Sequence, residues 1–528
     1  MSGPAATSRW GALLEGAGRE RLAARLLDYA RQRRWFRGKS RAMGGARIAD
    51  VVPLDAETID TAAHLLVVLE IQYAQGEPDL YVLPLTRSAP ESVRALRERQ
   101  PHAVIDGDDA LVDGLATGPA AAVLFELAQT GGTRPGARGV LSAECSELFG
   151  RLVPAAGAAA LGVRVAGVEQ TNSTVMFGDR ALLKVYRQLS AGPNPELELG
   201  RFLERACEPP CVPRVLAALT YTPEGAPPRS LGIIHELIPN HGDAWSLAER
   251  ELKRFFAQKP DAASGAGRFA AHATLLGRRT GELHLALAGR VRPVPDAGPD
   301  FAPEPLTEAD RRALAQRTER MLADTLEALG RSGRSSPSIQ RLLSDEGRGA
   351  IQRVLTEFRE GPLEAVKTRT HGDLHLGQVL AVSRAGGAAD DDDAVDDFVI
   401  IDFEGEPARP LHERRAKGSP LRDVMGMVRS FDYAPEAALR AGDGAAGQGG
   451  RARAWTRQVT AAYRNAYLET TAGAPFIPRD RAQLERLLTY YELEKVVYEV
   501  EYELNNRPDW LDIPLRGLLA VVGLESGT

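Results

Sequence analysis

The stretch from residue 371 to residue 404 constrains this chain more than any other. Thr370-His371-Gly372-Asp373-Leu374-His375-Leu376-Gly377-Gln378-Val379-Leu380 places a carboxylate, Asp373, and an amide, Gln378, five positions apart on a short loop that runs into a strand. Phe398-Val399-Ile400-Ile401 reads as another strand and delivers Asp402 29 positions after Asp373. The chain must fold so that base, amide and second carboxylate meet in one pocket. Transfer of a phosphoryl group from ATP needs such a set: one group to orient and deprotonate the acceptor hydroxyl, and oxygens to hold magnesium. Asp373 is the candidate base. Gln378 and Asp402 are candidate Mg²⁺ ligands, with Glu404 as a further one, because hard oxygen donors suit an ion that keeps waters and completes its shell on the nucleotide.

The third requirement is a cation for the phosphates. Leu182-Leu183-Lys184-Val185-Tyr186 sets a lysine in an apolar strand, where its ammonium is costly to bury without an anionic partner. Phosphate oxygens and a helix glutamate would supply that partner. Glu196 and Glu198 both open the following helix, and the reading leans to Glu198, which sits further inside. Residues Gln170 to Thr174, including Ser173 and Thr174, are expected to cover the phosphates. Glu236 and Ile238, at the end of the apolar run 231–238, complete the expected nucleotide contacts. A second His-Gly-Asp, at His241-Gly242-Asp243, has Ala248 five positions after its aspartate and no ligand to offer. It reads as a hinge leading into a helix cap.

At 528 residues the chain exceeds the size of one usual hydrophobic core. The boundaries read as 1–110 for a β-rich cap with a helix, 111–238 for a strand-rich intermediate lobe, and 239–528 for a large helical lobe. Leu65 to Ile71, Leu80 to Leu85, Val175 to Phe177 and Ala181 to Tyr186 have strand character. Residues 275–287, 309–329 and 481–505 read as helices. The Gly-rich stretch 131–136 and the Ala-rich stretch 155–160 read as loops, and 261–267, 385–393 and 441–450 are low in complexity. The basic cluster 31–41 reads as a solvated helix end, and His284 as a core histidine. A formal net charge of -6, with Lys and Arg matched by Asp and Glu, argues against nucleic acid as a partner. No run approaches the ~20 apolar residues of a membrane span, and a cytoplasmic location is expected. Three cysteines, with Cys207 and Cys211 flanking a turn, support no disulfide framework.

The loop 371–378 followed by Ile401-Asp402-Phe403-Glu404-Gly405 resembles the aminoglycoside-phosphotransferase-like kinases. Trp35-Phe36-Arg37-Gly38-Lys39, Asn194-Pro195-Glu196-Leu197-Glu198, Ser419-Pro420-Leu421-Arg422-Asp423-Val424, Arg429-Ser430-Phe431-Asp432-Tyr433, and Tyr498-Glu499 through Asn505-Asn506-Arg507-Pro508-Asp509-Trp510 are similar to motifs of the maltokinases within that group. The resemblance spans almost the whole chain. It implies an α+β, bilobal protein-kinase-like fold with an N-terminal cap and a helical C-lobe. It also implies ATP-dependent phosphorylation of maltose at its anomeric hydroxyl, giving maltose 1-phosphate for glycogen or other α-glucan synthesis, with a functional link to trehalose synthase and a maltosyltransferase. Two features depart from the wider fold: the phosphate-covering loop has no run of glycines, and Gln378 stands where asparagine is common, although maltokinases similarly use glutamine.

Sugar recognition needs polar groups and an aromatic face, and Tyr491 to Glu499 offers both on one helix. Glu494 and Tyr498 are neighbours there, as are Lys495 and Glu499. These four, with His371, are the expected sugar contacts. Two other readings compete with maltose phosphorylation. One keeps the chemistry on another sugar or amino sugar such as glucosamine, and the other is an inactive nucleotide-binding module that regulates a partner.

Overall fold

The computed structural model describes residues 10–153, 157–166, 172–207, 211–258, 266–383, 395–442 and 447–524. The chain divides into two compact units, one of residues 1–201 and 213–239, the other of 202–212 and 240–528.

In the first unit, helix α1 (Gly16–Arg31) precedes strands β1 (Met43–Pro53), β2 (His64–Tyr73), β3 (Asp79–Arg87), β4 (Val104–Asp106) and β5 (Leu111–Asp113), which form a sheet of order β1-β2-β3-β5-β4. Side chains alternate across a strand, so the unbroken apolar run of β2 serves two cores. Leu65, Val67, Leu69 and Ile71 pack with Leu22 and Leu26 of α1. Leu66 and Val68 face the opposite way, toward Leu124 and Phe125 of helix α2 (Pro119–Thr130).

Beyond α2 come β6 (Thr133–Pro135), β7 (Gly139–Cys145), β8 (Val163–Val165), β9 (Ser173–Phe177), β10 (Ala181–Val185), helix α3 (Pro195–Ala206), β11 (Val215–Pro223) and β12 (Arg229–Glu236). Their sheet runs β6-β7-β11-β12-β10-β9-β8. Strand β10 lies between β9 and β12, with Lys184 opposite Thr174 on one side and Ile233 on the other.

Several readings are corrected here. The Gly-rich stretch is partly strand, because Gly131 caps α2 at φ 64° and Thr133–Pro135 then pairs with β7. Residues 157–161 are helical rather than a loop. The basic cluster is not simply solvated: Arg33 is buried 4.5 Å from the Tyr29 ring centroid, and Arg41 lies 3.4 Å from that of Tyr73 while pairing with Asp79.

The second unit is mostly helical. Its main helices are α4 (Ala244–Ala257), α5 (Gly267–Leu287), α6 (Glu308–Arg331), α7 (Leu421–Ala441), α8 (Gly449–Thr470) and α9 (Arg481–Asn506), with a two-stranded ribbon of β13 (Val379–Val382) and β14 (Asp397–Ile400). Helices α5 and α8 approach closely at Gly277, where a Cβ would stand 2.2 Å from the Tyr463 carbonyl oxygen. Asp243 caps α4 by accepting from the Ser246 amide at 2.7 Å, the cap role read for that aspartate. His284 is fully buried, as read. Cys207 and Cys211 are joined as a disulfide, which their count and spacing had not suggested. No described helix is long and apolar enough to cross a membrane. Of the low-complexity segments, 261–265, 385–393 and 443–446 lie outside the described residues.

Candidate active site

The 371–404 motif closes on itself through the ribbon. Val379 to Val382 pairs antiparallel with Asp397 to Ile400, so the residues just before β13 and just after β14 share one end. The Ile401 amide donates to the Gln378 carbonyl at 3.0 Å, and His371 Nε2 lies 2.8 Å from the Ile401 carbonyl oxygen. Gly372 adopts φ +83°, and a Cβ there would sit 3.2 Å from the Gly405 Cα, so the backbones approach as closely as glycines allow. Asp402 takes φ 65°, rare for a non-glycine residue, and such strain is retained where surrounding structure enforces it.

The loop that carries Asp373 is held from behind by Asp423, near the start of α7. Its carboxylate accepts from the backbone amides of His371 at 2.8 Å and Gly372 at 2.9 Å, and stands 3.2 Å from His284 Nε2. Tyr467 Oη, 3.0 Å from His284 Nδ1, completes the chain of contacts. Burial would raise the Asp423 carboxyl, but the His284 hydrogen bond and the charges and amides around it hold it below the usual range. Replacing Asp423 with Ala leaves two buried amides without an acceptor, each worth about 1–3 kcal/mol. The expected result is a kcat at least about tenfold lower with ATP affinity little changed. Asp423→Asn, which keeps one acceptor oxygen, recovers part of the rate, whereas equal loss in both variants would show that the carboxylate does more than position the loop.

Asp373 lies 3.5 Å from Lys495 Nζ. Burial pushes its carboxyl up, but Lys495 first, then His375 and His371, outweigh that and keep it below the ordinary value. Gln378 Nε2 donates to Asp402 Oδ2 at 2.8 Å. An amide oxygen and a carboxylate thus sit side by side as hard donors, a set that fits magnesium once the amide turns its oxygen inward. Glu404 is buried, with Arg414 Nη1 3.7 Å from its carboxylate.

In the first unit, Lys184 Nζ donates to Glu196 Oε2 at 2.9 Å. The reading leaned to Glu198. Glu196 takes the part because Asn194 Oδ1 accepts its amide at 2.9 Å and fixes the first turn, while Tyr186 Oη donates to the same carboxylate oxygen at 2.9 Å. Burial opposes the charge on Glu196, but Lys184 and then His235, whose Nε2 is 3.3 Å away, keep it ionised far below the usual range. Ser173 Oγ accepts from Arg187 Nε at 2.7 Å. Glu236 forms a two-point pair with Arg214 at 2.7 and 2.8 Å, and Ile238 lies just beyond the end of β12. Gln170 lies outside the described residues.

Helix α9 splits the expected sugar contacts. Glu494 is 3 % exposed, and its oxygens accept from Arg317, Arg409 and Arg422. It is a hub of buried ion pairs. His371 is also buried, and its ring Nε2 lies 2.8 Å from the Ile401 carbonyl oxygen. Lys495, Tyr498 and Glu499 instead line a cavity of about 330 Å³ together with His375 and the aromatic walls Trp245, Tyr433, Tyr502 and Trp510. The Tyr433 and Trp510 rings are nearly parallel, 6.4 Å apart. Glu499 is itself held by Arg429 at 2.8 and 2.9 Å. His284 was readable only as a core histidine, and His235, Arg409 and Arg317 had no signal at the sequence level. Arg422, Asp423 and Arg429 had one, as charges inside the otherwise apolar start of α7.

Residues 29–116 match the maltokinase N-terminal cap domain. The chain is 27% identical over 358 residues to a glucosamine kinase of Streptacidiphilus jiangxiensis, covering 66% of this chain and 70% of that protein. A glucosamine kinase of Mycolicibacterium smegmatis (strain ATCC 700084 / mc(2)155) is 27% identical over 70% of this chain and 81% of its own length. Among solved structures, a glucosamine kinase in complex with glucosamine, ADP and inorganic phosphate superposes with a TM-score of 0.60 at 22% identity, over 92% of this chain and 95% of that one. Another crystal form gives 0.61, over 91% and 95%. By these matches residues 29–116 are similar to a maltokinase cap, and the chain shares the kinase-like fold of the glucosamine kinases.

Proposed function

We propose that this protein is a sugar kinase that transfers the γ-phosphoryl group of ATP to the anomeric hydroxyl of maltose. The observation that carries the reading is Asp373, set on a loop pinned by Asp423 and His371 and paired with Lys495, which opens on the aromatic cavity. Asp373 accepts the hydrogen bond of the sugar hydroxyl, orients its oxygen for attack on the γ-phosphorus, and takes its proton as the bond to the β-phosphate breaks. Lys184, oriented by Glu196, neutralises phosphate oxygens. Asp402 and Gln378 would hold magnesium, whose charge offsets that on the transferring group when it is bound. Glu404 would assist from beside Arg414. Thr174 and Ser173 would lie along the phosphates, and the chain at Glu236 and Ile238 along the base.

Maltose is favoured as acceptor by the cap match and by the extent of the aromatic walls, since Tyr433, Tyr498, Tyr502 and Trp510 offer faces for more than one pyranose ring. The second reading, an amino sugar, is favoured by the glucosamine kinase relatives and by the carboxylates of Glu499 and Glu503 on the same cavity. ATP consumption is measured against maltose, glucosamine and aminoglycosides, with the product identified by NMR. Maltose 1-phosphate is expected. Turnover on glucosamine alone assigns the second reading, and no turnover on any acceptor points to a regulatory nucleotide-binding module. Tyr498→Ala is expected to raise the KM for the sugar at least about tenfold while leaving that for ATP unchanged, and an unaltered sugar KM would remove this cavity from the acceptor site.

A further inference from the structure

Another cavity in the second unit, of about 350 Å³, has a different character. Its wall includes Gly372 and Glu406, close to Asp373, yet it contains none of the aromatic residues of the acceptor cavity. Seven cationic side chains line it against three carboxylates, Asp310, Glu406 and Glu413. Arg317, Arg409 and Arg422 share Glu494 between them, and Arg409 and Arg422 also share Glu406. Three guanidinium groups therefore draw on the buried Glu494 and Glu406 and, through Arg317 at 3.5 Å, on Glu413. Lys367 is held by Asp310 at 2.9 Å, and Lys417 Nζ stands 3.6 Å from Glu304. Arg320, on the exposed side of α6, forms no ion pair among the described residues.

A concave wall carrying an excess of one charge focuses its field on the space it encloses. Guanidinium forks match phosphate oxygens in pairs, and a phosphomonoester brings close to two negative charges and three strong acceptor oxygens. We infer that this cavity binds a phosphomonoester-type anion at a site separate from the acceptor cavity and from the lysine assigned to the nucleotide phosphates. Inorganic phosphate and a phosphorylated sugar share that chemistry, so both serve as probes. The inference does not rest on the kinase reading, because binding is measured without turnover.

The test is titration calorimetry on the full chain, without nucleotide or magnesium, using inorganic phosphate and separately a sugar 1-phosphate. Saturable binding is expected, weakened about tenfold in Arg320→Ala and in Lys417→Gln, since each loses one charge-assisted contact, and retained in Lys184→Ala. Tighter binding of the sugar phosphate shows that the organic part is read as well, while equal binding leaves the phosphate group as the ligand. Thermal melts matching the parent chain certify each variant as folded, and Arg320→Ala, on an exposed position, keeps the test open should Lys417→Gln not fold. Absence of saturable binding at millimolar phosphate overturns the inference. So does binding that is lost in Lys184→Ala and unchanged in both cavity variants.

Discussion

Asp373→Asn is expected to lower kcat by about 10²–10⁴-fold while leaving ATP affinity nearly unchanged, the range lost when a positioned base is removed. The amide keeps the shape of the carboxylate and can still accept a hydrogen bond from the acceptor hydroxyl, but it cannot take the proton. The loop should stay in place, because the contacts that hold it run through the backbone amides of His371 and Gly372 to Asp423 and through the His371 ring to Ile401, not through the Asp373 side chain. Lys495 loses its partner and is left facing a neutral amide. Steady-state turnover and nucleotide titration separate the two effects. Turnover within about tenfold of the parent chain would remove Asp373 from the role of base, and a matching loss of ATP affinity would mean that it acts on the nucleotide instead.

The readable part of this site was local. Asp373, Gln378 and Asp402 lie in one stretch interrupted by apolar strands, and the continuous apolar run Phe398 to Ile401 announces a strand that carries Asp402 back toward Asp373. Lys184 was readable for the same reason, a lone cation in an apolar strand. What sets those groups in position was not readable, because it comes from contacts of long sequence separation. Asp423 reaches the loop from 52 positions away and His284 meets Asp423 from 139. The choice between Glu196 and Glu198 turned on a side-chain cap from Asn194 that helical position alone does not encode. In the fold, strands and long helices were legible through their periodicity, whereas residues 133–135 and 157–160 were taken for loops because Gly and Ala carry no pattern by which to tell pairing from turning. Helix α9 is the instructive case. Spacing grouped Glu494 with Tyr498 on one face, but only tertiary structure shows that arginines from three other segments claim Glu494 while Tyr498 faces the cavity.

That division makes Glu494 the position where stability and recognition separate most sharply. Its carboxylate accepts from Arg317 at 2.6 Å, Arg422 at 2.9 Å and Arg409 at 3.2 Å. Removing one partner of a buried ion pair leaves uncompensated charge, at a cost of about 3–5 kcal/mol, and here several guanidinium groups are left at once. Arg317 is about one-third exposed, so solvent screens part of its share, and the cost falls mainly on Arg422 and Arg409. Glu494→Ala is therefore expected to lower unfolding stability by about 3–5 kcal/mol in denaturant titration. It should leave the sugar KM of the folded fraction unchanged, and a raised sugar KM at unchanged stability would instead return Glu494 to the acceptor site. The pH dependence carries the same sign. Burial would raise this carboxyl, but Arg422, Arg409 and Arg317 drive it well below the usual range, so its stabilisation is complete above the unfolded value of about 4.3 and is lost as pH falls toward the lower folded value. The parent chain should lose stability on acidification more steeply than Glu494→Gln, which has no proton to take up at that position. Parallel acid titrations of the two chains would show that the three arginines do not hold Glu494 ionised.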